Sequence, residues 1–173
     1  MPSEHHDFDV VARLDTDSVG TPGNRRFRLI VQNDTQTAFL WLEKEQLQAL
    51  GLAVDQLLKQ ERVFWSRTDP KSQPPTPQKP FDGSASVEMR VGRLGLGYDE
   101  AAKLFVMIAH DVESGPDDAP SFRCLCSRGQ LSRLSETITA VTTAGRPRCP
   151  VCGSPLEGGT HFCPGSNGHG HSA

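Results

Sequence analysis

The sequence predicts an α+β fold: a tandem βββα duplication forming one mainly antiparallel sheet with two helices on one face, followed by a C-terminal zinc knuckle. Three observations predict it. Short apolar runs of strand character come in two groups of three. Each group is followed by a helical stripe. The two stripes superpose at a fixed offset, Leu47, Leu50, Val54 and Leu57 against Leu131, Leu134, Ile138 and Val141, with Gln46 over Gln130. Units of about 60 residues bury too little surface to stand alone, so the halves are expected to share one core beneath both helices.

Taken in order, residues 8–14 (FDVVARL) read as a strand, and Val19-Gly-Thr-Pro-Gly23 supplies turn chemistry. Residues 27–31 (FRLIV) and 37–42 (TAFLWL) follow as strands joined by a polar connection of hairpin length. Leu47, Leu50, Val54, Leu57 and Leu58 then mark an amphipathic helix, with Gly51 a weak point inside it. Residues 66–86 hold five of the thirteen prolines and no apolar period, which reads as a linker or long loop. Strands are expected again at 87–91 (VEMRV), 104–109 (LFVMIA) and 122–126 (FRCLC), with turn and bulge glycines at Gly92 and Gly95. The second helix should start at Ser127, whose capping-box partner is Gln130, and end before Gly145 and Pro147. The chain thus divides into a first half (1–65), the linker (66–86), a second half (87–145) and the knuckle with its tail (146–173). Val19-Gly-x-x-Gly23 lines up with Val91-Gly-x-x-Gly95 in this scheme.

Composition narrows the function. Across 173 residues, 18 basic side chains stand against 21 acidic ones, a net of −3, which disfavours a strongly basic nucleic-acid binder while leaving room for a local patch. The opening residues have neither the basic nor the apolar segment of a secretory signal. The longest apolar run, 104–109, falls far short of the roughly 20 residues that span a bilayer. A soluble, cytoplasmic protein is expected, with no membrane partner. Its five cysteines are an odd number, and three lie within fifteen residues, which suits a metal site in a reducing compartment.

That site is Cys149-Pro-Val-Cys152 followed by Gly153, with His161-Phe-Cys163 eight residues on. Cys-x2-Cys-Gly is the knuckle spacing that aims two thiolates at one ion, and residues i and i+2 of an extended segment face the same way. Three thiolates and one imidazole close a tetrahedral shell, so one structural Zn²⁺ per chain is expected, of zinc-ribbon type. His169 is the rival fourth ligand. Arg25, Arg26 and Arg28 form the sharpest basic cluster. Together with Arg146 and Arg148 they are the possible anion or nucleic-acid contacts, set against a simpler role as a charged sheet edge. Trp41 reads as core or interface, and Cys124 and Cys126, two apart on a strand, as buried small side chains.

The segments Val19-Gly-Thr-Pro-Gly-Asn-Arg-Arg-Phe27, Leu42-Glu-Lys-Glu-Gln-Leu47, Val91-Gly-Arg-Leu-Gly-Leu-Gly-Tyr-Asp99 and Ala144-Gly-Arg-Pro-Arg-Cys-Pro-Val-Cys152, with His161-Phe-Cys-Pro164 and Asn167-Gly-His169, resemble the domain of unknown function 3090 family. The resemblance implies a mainly actinobacterial distribution and no assigned activity. It also implies a shared pathway with a histidine-phosphatase-like and a lipid-kinase-like protein, from which an enzyme acting on a phosphorylated small molecule is one expectation. The residues themselves contain no Gly-x-Ser-x-Gly, P-loop or His-Glu-x-x-His pattern. The leading expectation is therefore a non-enzymatic zinc-binding adaptor with a protein partner. A nucleic-acid or ribonucleoprotein binder is the alternative.

Overall fold

A computed structural model describes residues 4–21, 23–64, 81–143 and 151–152, with backbone alone at 61–64. These residues form β1 (His6–Val10), β2 (Arg13–Val19), β3 (Arg26–Gln32), β4 (Thr37–Leu42), α1 (Lys44–Phe64), β5 (Val87–Asp99), β6 (Leu104–Asp111), β7 (Phe122–Cys126) and α2 (Arg128–Thr143). The strands make one mixed sheet in the order β1-β7-β6-β5-β4-β3-β2. Four of its junctions are antiparallel; β4–β5 and β1–β7 are parallel. The α+β class holds, and the antiparallel meanders β2–β3–β4 and β5–β6–β7 are each followed by a helix.

The first expected strand is corrected. Residues 8–14 do not run straight through: Asp9 takes a left-handed φ of 49° and the β1–β7 register slips between Asp7 and Val10. Beyond the slip, neighbouring amides part company. The Val11 N–H donates to the Leu125 carbonyl of β7 at 3.0 Å, and the Ala12 N–H donates to the Gln32 carbonyl of β3 at 2.8 Å. Those strands lie next to opposite ends of the sheet order, so one stretch of chain, residues 6–19, serves both ends. The sheet curls until it closes on itself at residues 11–12, and the Asn33 side chain donates across the seam to the Phe8 carbonyl at 3.2 Å.

A second correction concerns β5. The glycines at 92 and 95 do not end the strand; it runs for 13 residues with a register slip between Val91 and Arg93. Its first part pairs parallel with β4 and its second part antiparallel with β6. Residues 6–19 do the same with β7 and β3, so Val11-Ala12-Arg13-Leu14 takes the place that Val91-Gly92-Arg93-Leu94 takes in β5. The expected match of residues 19–23 to 91–95 is therefore not the one the pairing makes. Gly20 and Gly23, with φ of 114° and 87°, instead turn the chain from β2 into β3.

Alternation along the strands sends Leu14, Leu29, Leu40, Met89, Met107 and Cys124 to the inner face, where Leu47, Leu50 and Val54 of α1 and Leu131, Leu134 and Ile138 of α2 complete one core. Leu57 and Val141 pack against it half-buried. The helices lie antiparallel: a Cβ on Gly51 would stand 3.1 Å from Ile138 Cγ2, Ser135 Oγ donates to Asp55 Oδ1, and Arg128 donates to the Leu58 carbonyl at 3.2 Å. Gly51, a weak point by helix propensity, faces Ile138 across the helix pair with little room for a Cβ. Because β4, β5 and β7 run the same way, both helices start at one end of the sheet. No helix among the described residues is long and apolar enough to cross a membrane.

Residues 143–173 separate as a second unit, of which Thr143, Val151 and Cys152 are described. The expected knuckle, apart from Val151 and Cys152, lies outside the described residues, as do residues 66–80 of the expected linker. Phe81, where description resumes, meets Phe39 edge to face, with ring centroids 5.7 Å apart.

Candidate functional site

Each helix begins with the same device. Glu43 and Ser127 are the N-caps, and the glutamine three residues on reaches back. Gln46 Oε1 accepts the Glu43 N–H at 2.8 Å, and Gln130 Oε1 accepts the Ser127 N–H at 2.9 Å. The other half of each amide crosses to the neighbouring parallel strand. Gln46 Nε2 donates to the Val91 carbonyl at 3.0 Å and Gln130 Nε2 to the Val11 carbonyl at 2.9 Å. A side chain satisfying a helix N-terminus and a strand carbonyl at once fixes where each helix leaves the sheet.

Beside Gln46 this junction opens into a cleft of about 480 Å³, at the carboxyl end of β4 and at the bulge where β5 leaves its parallel pairing with β4. Its charged walls come from the start of β3 and from β5: Arg25, Arg26 and Arg90. Trp41, Leu42, Val91 and Val112 line it on the apolar side, and Glu43 contributes the acidic group. The backbone of residues 111–112 is brought close by the bulge glycine. A Cβ on Gly92 would stand 3.0 Å from the Val112 Cα, and the Val112 N–H donates to the Arg90 carbonyl at 2.8 Å. Gln46 and Gly92 also line a smaller groove of about 210 Å³, walled by Ala49, Leu50, Leu94 and Leu96. The charged cleft and the apolar groove thus share a border.

Trp41 faces outward from β4, and its Nε1 donates to Glu88 Oε2 at 3.0 Å. The Arg26 guanidinium stacks over the indole, 4.3 Å from the ring centroid. Arg26 and Arg90 are exposed and, among the described residues, neither has a carboxylate partner. Arg28 is placed differently. It lies opposite Asp17 in the β2–β3 register and holds both its oxygens, at 2.7 and 2.9 Å, while stacking 4.1 Å over Phe39. That bidentate pairing raises the Arg28 pKa and keeps the guanidinium outside the cleft lining.

The structure keeps Arg26 and Arg28 on the same outward face of β3, both over the Trp41 ring at 4.3 and 5.7 Å, but it ties Arg28 to Asp17 and leaves Arg25 and Arg26 in the cleft lining. Arg90 and Trp41 join them from strands paired in parallel, an adjacency no local pattern reveals. Arg90 is legible only as the outward residue of VEMRV, and the outward position becomes informative once β4 is known to be its neighbour. Of the expected metal ligands, Cys152 is half-buried, while Cys149, His161 and Cys163 lie outside the described residues, as do His169, Arg146 and Arg148. The described residues contain no cluster of three His, Cys, Asp or Glu side chains placed to hold a metal. Cys124 and Cys126 are fully buried on the inner face of β7, and burial raises both thiol pKa values, that of Cys126 to about 12.

A family model described as a protein of unknown function (DUF3090) matches residues 6–163. No curated protein and no solved structure gives a significant match.

Proposed function

This chain belongs to the DUF3090 family, and from that premise we propose that it is a non-enzymatic binding protein, an adaptor that takes an anionic segment of a partner protein into the cleft beside Gln46. The observation that carries this reading is the pair Arg26 and Arg90, two exposed guanidinium groups without carboxylate partners among the described residues, flanking an indole held in place by Glu88. Arginine and tryptophan in a partly apolar recess are the residues that dominate protein interfaces, and arginine grips a planar anion with two hydrogen bonds. In the same proposal the tail holds one structural Zn²⁺ on Cys149, Cys152, His161 and Cys163, as the spacing and the donor chemistry support, in a reducing cytoplasm. The two βββα halves are copies of one ancestral unit, a reading supported by the paired Gln46 and Gln130 bonds and by VARL at 11–14 standing where VGRL stands at 91–94.

The test uses Trp41 itself. In a Trp65→Phe background it is the sole tryptophan, so its emission reports occupation of the cleft. A glutamate-rich peptide should bind, shift that emission and lose affinity in the Arg26→Ala, Arg90→Ala double variant and in rising salt. Binding that ignores both arginines would defeat the proposal. A single-stranded oligonucleotide bound more tightly than the peptide would move the assignment to a nucleic-acid partner.

A further inference from the structure

We infer that the cleft is built for a phosphate monoester carried on an apolar body. This rests on the anion-binding reading above and specifies the anion. The first argument is charge. Arg26 and Arg90, exposed and without carboxylate partners among the described residues, line one cleft, and a dianionic phosphate answers two guanidinium groups better than a single carboxylate. Its three terminal oxygens can be shared among guanidinium groups arriving from β3 and β5. The second argument is shape. The adjoining groove of Ala49, Leu50, Leu94 and Leu96 meets the charged cleft at Gln46 and Gly92, so an occupant anchored on the arginines has an apolar surface on which to lay its remaining atoms. The combined space suits a small molecule or one side chain better than a flat protein face.

The third argument comes from the other end of the sheet. At the β7–β1 junction Gln130 and Val11 repeat Gln46 and Val91. The register pairs Leu125 with Val10 where it pairs Trp41 with Arg90. Lys103 and Leu104 precede Phe105 as Arg25 and Arg26 precede Phe27, and both phenylalanines pair with the last residue of the adjoining strand. What the two junctions share is the scaffold that launches a helix. The indole, Arg90 and the arginine pair occur at one junction alone, so holding the helix in place does not require them.

Titration calorimetry of the full chain with phenyl phosphate and benzoate tests the inference, because the two probes share a ring and differ in the anion. Phenyl phosphate is expected to bind and to move Trp41 emission in the Trp65→Phe background, and benzoate to bind at least tenfold more weakly. Removing one charged hydrogen-bond donor by Arg90→Ala should weaken phenyl phosphate about tenfold. Lys59→Ala removes an exposed cation about 20 Å farther along α1 and should leave affinity unchanged. Equal affinity for both probes, with both sensitive to Arg90→Ala, would overturn the phosphate assignment and keep the anion site. Phenyl phosphate binding that is indifferent to Arg90→Ala, in a variant that unfolds at the wild-type temperature, would overturn the site. No response to either probe or to a glutamate-rich peptide would defeat the anion-binding reading as well. If phosphate is selected, a phosphoseryl peptide compared with glycerol 3-phosphate separates a modified partner protein from a small metabolite as its source.

Discussion

At the scale of single residues, the side chains that the sequence marks as reactive part into two groups. Cys124 and Cys126 alternate with Leu125, which already places them on one side of a strand, and they are fully buried there. Burial disfavours the thiolate, so the folded pKa of Cys126 stands near 12 against an ordinary 9.0. A raised folded pKa means stability that is complete below the unfolded value and lost as pH climbs toward the folded one. The protein should therefore lose about 1.4 kcal/mol per pH unit for each buried thiol above pH 9. Urea denaturation between pH 8 and 11 should show this slope, and the Cys124→Ala, Cys126→Ala variant should flatten it. Neither thiol should be alkylated by iodoacetamide until the protein unfolds. The arginines were harder to read. Residues 25, 26 and 28 form one basic cluster in sequence, but a cross-strand aspartate takes Arg28 into a bidentate pair, while Arg26, on the same face, has no carboxylate partner among the described residues. Asp17 opposite Arg28 is invisible until β2 and β3 are in register. Replacing Arg28 with Ala should cost about 1–2 kcal/mol through the lost stack and ion pair, measurable by thermal unfolding, and should leave cleft binding intact.

At the scale of elements, both helices are legible from their 3.6-residue stripes, and α2 down to its Ser-x-x-Gln cap, whereas the Glu43 cap of α1 carries no Ser, Thr, Asp or Asn signal. Gly51 was legible only as a cost. An alanine there gains about 1 kcal/mol of helix propensity, but its Cβ would press on Ile138 Cγ2 at 3.1 Å, and Ile138 is β-branched and stiff. Gly51→Ala should thus be near neutral, and adding Ile138→Val should cost about 0.5 kcal/mol less in that background than in wild type. A double-mutant cycle in urea measures the difference. Gln46→Ala and Gln130→Ala should each destabilise by about 1–2 kcal/mol, since a helix cap and a strand carbonyl lose their partner together. The strands were read correctly where apolar alternation was clean and misread where one strand changes neighbours midway. At Val11–Ala12 and at Val91–Arg93 nothing local signals that the pairing passes from a parallel partner to an antiparallel one. The recurrence of VARL at 11–14 and VGRL at 91–94 is the sign the sequence offers, less conspicuous than the paired glycines at 20 and 23 and at 92 and 95.

For the whole molecule, the fold class and the shared core followed from the repeated order of elements, whereas closure of the sheet did not, because it depends on a contact between the first strand and the last. Removing residues 1–11 should strip β7 of its parallel partner, and the open edge should appear as dimers or larger species in size-exclusion chromatography. The tail makes a separate prediction. Elemental analysis should find about one zinc per chain, and Cys152→Ser should abolish it. Val151 is 52% exposed, and a segment with few large apolar residues adds little to the main core, so the principal thermal transition should move by no more than a few degrees. The closed sheet also sets a schedule for synthesis. Asp7 of β1 and its partner Arg123 of β7 are 116 positions apart, which at about 5–20 residues per second is roughly 6–23 s of translation. Once β3 has been made, β2 can lie against it, but the segment just before β2 waits for β7 as half of a strand with its amides unanswered. A pause in elongation between β4 and β7 would lengthen the time for which β1 stays unpaired and open to other chains.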